Sequence, residues 1–201
     1  VILLVLTPHP KMLITVVSRK SKITMRQTSY LRLLKGALAV ASLLITSLAA
    51  QAGTLTFSAN GKNTVSGNNN PLSAAVIFDY DGSSVLKVTL QNTASGGAYV
   101  PSDVLTDLFW TDSGKATYTP VSAALGSGST LTNAPATYDL GKEWQYLSGI
   151  SGYKNANMGI GSSGLGIFGD GNFSANGNHT DGMNYGIING LNANADRKSV
   201  V

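Results

Sequence analysis

The chain has 201 residues, a formal charge of +4 and no cysteine. That length suits one domain with an appendage, and the lack of cysteine excludes a disulfide scaffold, a thiolate metal site and a cysteine nucleophile. The positive charge would fit nucleic acid if it were spread over the chain, but residues 1–52 carry seven basic and no acidic side chains, while 53–201 carry seven basic and ten acidic ones, a net −3.

In chain order, Val1–Leu6 is an apolar run followed by Pro8 and Pro10. Residues 1–24 read as translated upstream sequence ahead of a start at Met25, and are set outside the expected fold. Met25–Lys35 contains Arg26, Arg32 and Lys35, and Gly36–Ala50 is dominated by Ala, Leu, Val and Ile. Ala50-Gln51-Ala52 then offers small side chains at the −3 and −1 positions of a cleavage site before Gly53. This is the tripartite pattern of a secretory signal peptide over 25–52. Its basic residues hold the amino end on the cytoplasmic face while the apolar run enters the membrane. Fifteen residues are short for a permanent span. The implied partners are the export machinery and signal peptidase, and the expected location is the cell surface or the extracellular space. Membrane contact is expected only through this leader or through a C-terminal anchor missing from the chain.

Residues 53–191 read as β structure. Thr54–Ala59 alternates and ends at Asn60-Gly61, and Lys62–Pro71 is polar enough for a loop. Ala74–Tyr80 and Ser84–Asn92 flank Asp81-Gly82, which predicts a hairpin with a type I′ turn. Val104–Thr111 is apolar on both faces, as in a strand buried between layers. In Thr117–Leu125, Pro120 predicts an edge position or a bulge. Glu143–Leu147 is a short aromatic strand, Met158–Phe168 is rich in glycine, and Asn184–Asn189 predicts a last strand. Seven or eight short strands separated by turns predict an all-β fold, a single β-sandwich or jelly-roll-like domain. The remaining 192–201 reads as a tail cut short.

Few residues point to chemistry. Gly159, Gly161 and Gly164, and again Gly164, Gly166 and Gly169, match G-x-G-x-x-G. That motif holds a pyrophosphate only between a strand and a helix N-terminus, and no helix is expected, so tight turns or close packing explain these glycines better. Asp79-Tyr80-Asp81-Gly82 opens like a calcium loop but has Ser84 and Leu90 where Gly and Glu are required. His179 lies in a polar loop with no nucleophile motif nearby. Asn172-Phe-Ser174 and Asn178-His-Thr180 match a glycosylation acceptor by chance. No catalytic, cofactor-binding or metal-binding residue is assigned. Trp110 is read as core, and Trp144 and Tyr146 share strand parity and are the candidates for a sugar-stacking platform.

Four segments in order carry a resemblance: Tyr99–Trp110, Glu143–Gly149, Gly159–Gly169 and Asp181–Ile187. Together they resemble the exosortase-dependent, PEP-CTERM-type surface proteins of Gram-negative bacteria. The resemblance spans about residues 54–190. It implies export, sorting by an exosortase, placement at the surface or in extracellular polysaccharide, and no catalytic residues. Members of that family end in a Pro-Glu-Pro motif, an apolar helix and a basic tail, which Asn192–Val201 lacks. The expectation is a non-catalytic surface or matrix protein in a structural or interaction role. A carbohydrate-binding module is the alternative, and a secreted hydrolase comes after it.

Overall fold

A computed structural model describes residues 2–8, 52–64, 69–113, 116–132, 137–151, 153–180, 184–189 and 199–200. The fold is all-β. Eleven strands are assigned among these residues: β1 (Ile2–Pro8), β2 (Gly53–Asn63), β3 (Asn70–Tyr80), β4 (Leu86–Asn92), β5 (Asp107–Trp110), β6 (Tyr118–Leu125), β7 (Leu131–Thr132), β8 (Gln145–Ser148), β9 (Met158–Gly161), β10 (Gly186–Ile187) and β11 (Ser199–Val200). They build a five-stranded sheet in the order β2-β3-β4-β1-β6, a three-stranded sheet β5-β9-β8, and a small sheet β10-β11-β7. The first two are antiparallel throughout, and β10 pairs with β11 in parallel.

The two larger sheets form the layers of a sandwich. Residues two apart on a strand share a face, so Val76 and Phe78 of β3, Val88 and Leu90 of β4, and Ile2 and Leu4 of β1 line one inner surface. Across the interior lie Leu108 and Trp110 of β5, Ile160 of β9 and Tyr146 of β8. Phe78 meets Trp110 edge-on at 5.5 Å, and Tyr118 meets Tyr146 edge-on at 6.3 Å. Both faces of β5 are covered, as its two-sided hydrophobicity predicts: Phe109 turns away from this core and packs on Tyr153 at 4.1 Å and Phe168 at 5.6 Å.

The largest difference from the sequence reading is β1. Residues 1–24 were expected outside the fold, yet Ile2–Pro8 is inserted between β4 and β6, antiparallel to both. Ile2, Leu4 and Leu6 are fully buried. The physical reason is that an interior strand needs aliphatic side chains on its core face and tolerates them on the other, and Ile2–Leu6 supplies both. At the far end, Ser199–Val200 pairs with β7 and β10, so the sheets also reach beyond residue 191.

Local expectations divide in the same way. β3 and β4 pair as a hairpin from Ala74↔Asn92 to Tyr80↔Leu86. The connection is not a two-residue turn, however. Asp81 to Val85 forms a longer loop in which Asp81 Oδ1 accepts from the amides of Ser83, Ser84 and Val85 at 2.8–2.9 Å. These amides, with that of Val85 foremost, lower the Asp81 carboxyl to about 2. Gly82 sits at φ +83°, the left-handed region this loop requires. Asn60-Gly61 is no turn: β2 runs through it to Asn63 and pairs Gly61 with Leu72, because eleven consecutive ladder positions outweigh one turn-prone dipeptide. Pro120 meets both of its expectations. It lies on the edge strand β6, and the register slips there, with Leu6 opposite Pro120 and Val5 opposite Ser122.

Candidate functional site

Small side chains leave a groove on the inner face of the β2–β3 end of the large sheet. Ala59, Gly61 and Ala74 line it together with Ser102, Val104 and Leu105. A cavity of about 300 Å³ is lined by Gly61, Leu72, Asn92, Asp103 and Leu105, among others. A second of about 250 Å³ is lined by Phe57, Val76, Leu90, Asp107 and Leu108, among others. The two share Ala59, Ala74 and Leu105, so they abut. The walls are apolar apart from a few polar side chains, and two carboxylates stand along one wall.

Asp103 closes the single-turn helix Pro101–Asp103 and is buried. Its Oδ1 accepts from Asn63 Nδ2 at 2.6 Å. Its Oδ2 accepts from Asn70 Nδ2 at 2.8 Å, the Tyr99 amide at 2.9 Å and the Val100 amide at 3.2 Å. Burial pushes this carboxyl up, but the hydrogen bonds from Asn63, Tyr99, Asn70 and Val100 together outweigh burial and hold it below the usual carboxylate value. Asn92 Nδ2 extends the network to the carbonyls of Asp103 at 3.3 Å and Ile187 at 3.1 Å. The chemistry here is that of a clamp: one acid ties the end of the β2–β3 hairpin where Asn63 pairs with Asn70 to the loop before β5.

Asp107 behaves differently. Its Oδ2 accepts from Thr106 Oγ1 at 2.5 Å and Ser163 Oγ at 2.6 Å, while Oδ1 is buried with no hydrogen-bond partner. Burial pushes its carboxyl above the ordinary value, against the pull of the Ser163 and Thr106 hydroxyls. Gly161 makes room for it. A Cβ there would overlap Asp107 Oδ1 and sit 2.5 Å from Phe168 Cε2.

The residues singled out from sequence fall elsewhere. Trp144 is 0% exposed and Tyr146 4%. Tyr146 donates its hydroxyl proton to Met158 Sδ at 3.4 Å, inside the core. Neither ring offers a face to a ligand, which corrects their assignment as a platform. Their shared parity placed them on one side of the strand, and that side is the interior. Ala50 lies outside the described residues, Ala52 is exposed, and Gly53 is the first residue of β2. Of the fingerprint glycines, Gly159, Gly161 and Gly164 serve close packing, and Gly166 supplies the positive φ of a turn. Gly159 and Gly161 lie in β9 against Phe109, Phe168 and Asp107, and Gly164 abuts the Thr180 carbonyl. His179 Nδ1 is 3.0 Å from Asp170 Oδ1, and both side chains are exposed. Asp79 takes a 2.9 Å hydrogen bond from Thr54 and a 3.1 Å ion pair from Lys87. Among the described residues no group of three His, Asp or Glu side chains is placed to hold a metal ion.

Asp103 and Asp107 were not singled out from sequence. A signal existed for both. Asp103 follows Pro101 in a short turn, and Asp107 is the one charge in the otherwise two-sided apolar run Val104–Trp110. Comparison with protein-family models, with curated proteins and with solved structures gives no match.

Proposed function

We propose that this chain is an exported bacterial surface or extracellular-matrix protein whose sandwich has a structural or interaction role rather than a catalytic one. The observation that carries this is a coincidence of boundaries. The small-residue triplet Ala50-Gln51-Ala52 ends the leader, and the next residue, Gly53, opens β2 and pairs with Tyr80. A cut before Gly53 would release a chain that begins on its first sheet residue. Of the groove's two carboxylates, Asp103 supports the non-catalytic reading, because it spends both oxygens on hydrogen bonds within the fold, whereas Asp107 engages only Oδ2, with Thr106 and Ser163. Leu55 and Phe57, 63% and 55% exposed on the edge strand β2, support an interaction role. Sorting by an exosortase and residence in extracellular polysaccharide follow from the four-segment resemblance and belong to the same reading.

The test is expression in a Gram-negative host with a C-terminal epitope tag, followed by fractionation and N-terminal sequencing. Recovery outside the cytoplasm with Gly53 at the amino end is expected. Cytoplasmic retention with the leader intact would refute export.

A further inference from the structure

The fold and the leader make incompatible demands on Ile2–Pro8. In the sheet, β1 is an interior strand, paired over five positions with β4 and over seven with β6. In the sequence it precedes the basic residues that keep a leader's amino end in the cytoplasm, and a cut before Gly53 severs it from every other strand of the sandwich. An exported domain of residues 53–201 would then reach its destination with β4 and β6 flanking an unfilled slot.

The slot does not close by a small shift. β4 and β6 are each antiparallel to β1, so they run parallel to one another, two strand spacings or roughly 9.6 Å apart. Each would expose a row of backbone donors and acceptors, the template that recruits another chain. Between them, Val88 and Leu90 on one side and Ala123 and Leu125 on the other would lose Ile2 and Leu4, both now fully buried. The opposite face is undemanding, since Leu3 and Val5 lie beside Thr89, Lys87, Ala124 and Ser122.

We propose that the β4–β6 slot is a strand-acceptor site: after cleavage it binds an extended segment of a partner protein, antiparallel to β4, with branched aliphatic side chains at three alternate positions. This rests on the export reading for its cleavage step. Ile2–Pro8 occupies the slot and defines the pattern the partner must meet. Affinity would come from the two backbone ladders, and specificity from the three aliphatic side chains, as in other strand-addition complexes.

The experiment uses the full chain with a site-specific protease sequence introduced within residues 26–45. The cut protein is unfolded in urea and refolded with excess fluorescent peptide of residues 1–10, either native or carrying Leu4→Asp. Expected is incorporation of one native peptide per domain, recovery of the uncut melting temperature, and binding of the Leu4→Asp peptide at least about 30-fold weaker, because a carboxylate would enter the core. No incorporation, or equal incorporation of both peptides, would overturn the proposal. Dimers of the cut chain that exclude peptide would overturn it in favour of a second copy as occupant. The engineered cut does not depend on the leader, so failure here leaves the export reading standing, whereas an uncleaved cytoplasmic protein would leave β1 in the slot and remove the partner's entry while the slot's capacity to take a strand stays measurable.

Discussion

Truncating the side chains of β1 one at a time tests whether Ile2–Pro8 is an interior strand. Leu4 is 0% exposed and stands between Val88 and Ala123. Leu4→Ala should therefore cost about 3 kcal/mol, within the range for buried leucines. For a sandwich of this size, that corresponds to a fall in Tm of roughly 6–12 °C. Leu3, one residue away, lies on the other face opposite Thr89 and Ala124 and is only half-buried. Leu3→Ala should cost about 1 kcal/mol or less. The same alternation should continue, with Ile2→Ala and Leu6→Ala large and Val5→Ala small. The assay is urea denaturation of the full chain followed by tryptophan fluorescence, since Trp110 and Trp144 both belong to the core described by this sheet. Equal effects at positions 3 and 4, or none at either, would refute the placement of β1 and with it the acceptor slot.

Trp144 is fully buried with its Nε1 unpartnered. Trp144→Phe loses volume but removes an unsatisfied donor, so it should cost under about 2 kcal/mol, whereas Trp144→Ala should cost about 4 kcal/mol, as read by urea melts. Gly161→Ala should destabilise by about 3 kcal/mol, because its Cβ would overlap Asp107 Oδ1 and crowd the Phe168 ring; a change below about 0.5 kcal/mol would contradict that packing. Asp103→Ala should cost about 3 kcal/mol and expose the Tyr99 and Val100 amides to hydrogen exchange, since both lose their acceptor. Asp107 and Asp81 should show opposite pH dependences in Tm. The raised Asp107 carboxyl leaves the native state holding more protons than the unfolded one between 3.8 and its folded value, so stability falls as pH rises through that window, and Asp107→Asn should abolish the fall. The Asp81 carboxyl is lowered from 3.8 to about 2, so its stabilisation is present above 3.8 and lost as pH falls toward about 2, a loss that Asp81→Asn should remove from the acid limb.

The fold was most legible where hydrophobic alternation and chain punctuation agreed. Leu86, Val88 and Leu90 alternate with polar residues, and all three are buried on one face of β4. Pro120 carried its own explanation, since a residue without an amide proton must sit at an edge or a bulge. Asn60-Gly61 misled because a turn-prone pair can be held extended when both flanks are paired to the same neighbour. Trp144 and Tyr146 illustrate a different limit. Parity along a strand tells which residues share a face but not which face is wet, and here the second layer covers it. The Asp103 clamp joins Asn63, Asn70 and Asp103 across 40 positions of sequence. Neither composition nor period encodes such a meeting. It exists only once β2 and β3 have paired and brought their ends to the loop at 99–103.

β1 shows why composition alone misjudged the first residues. Both Val1–Leu6 and Gly36–Ala50 are apolar runs in a basic stretch, and charge bookkeeping groups them together. Length separates them physically. A mainly apolar run of fifteen residues can form a leader helix, whereas a run of six matches an interior strand whose two faces both meet protein or half-buried surface. The same run satisfies two edges at once, because β4 and β6 present their free backbone toward it from opposite sides. A strand in that position contributes three buried aliphatic side chains and two hydrogen-bonded ladders, more than any terminal strand of the sheet can. That is why the severing of β1 by a cut at Gly53 would be felt through the whole sandwich, and why a domain cut there would have reason to take a replacement strand from its surroundings.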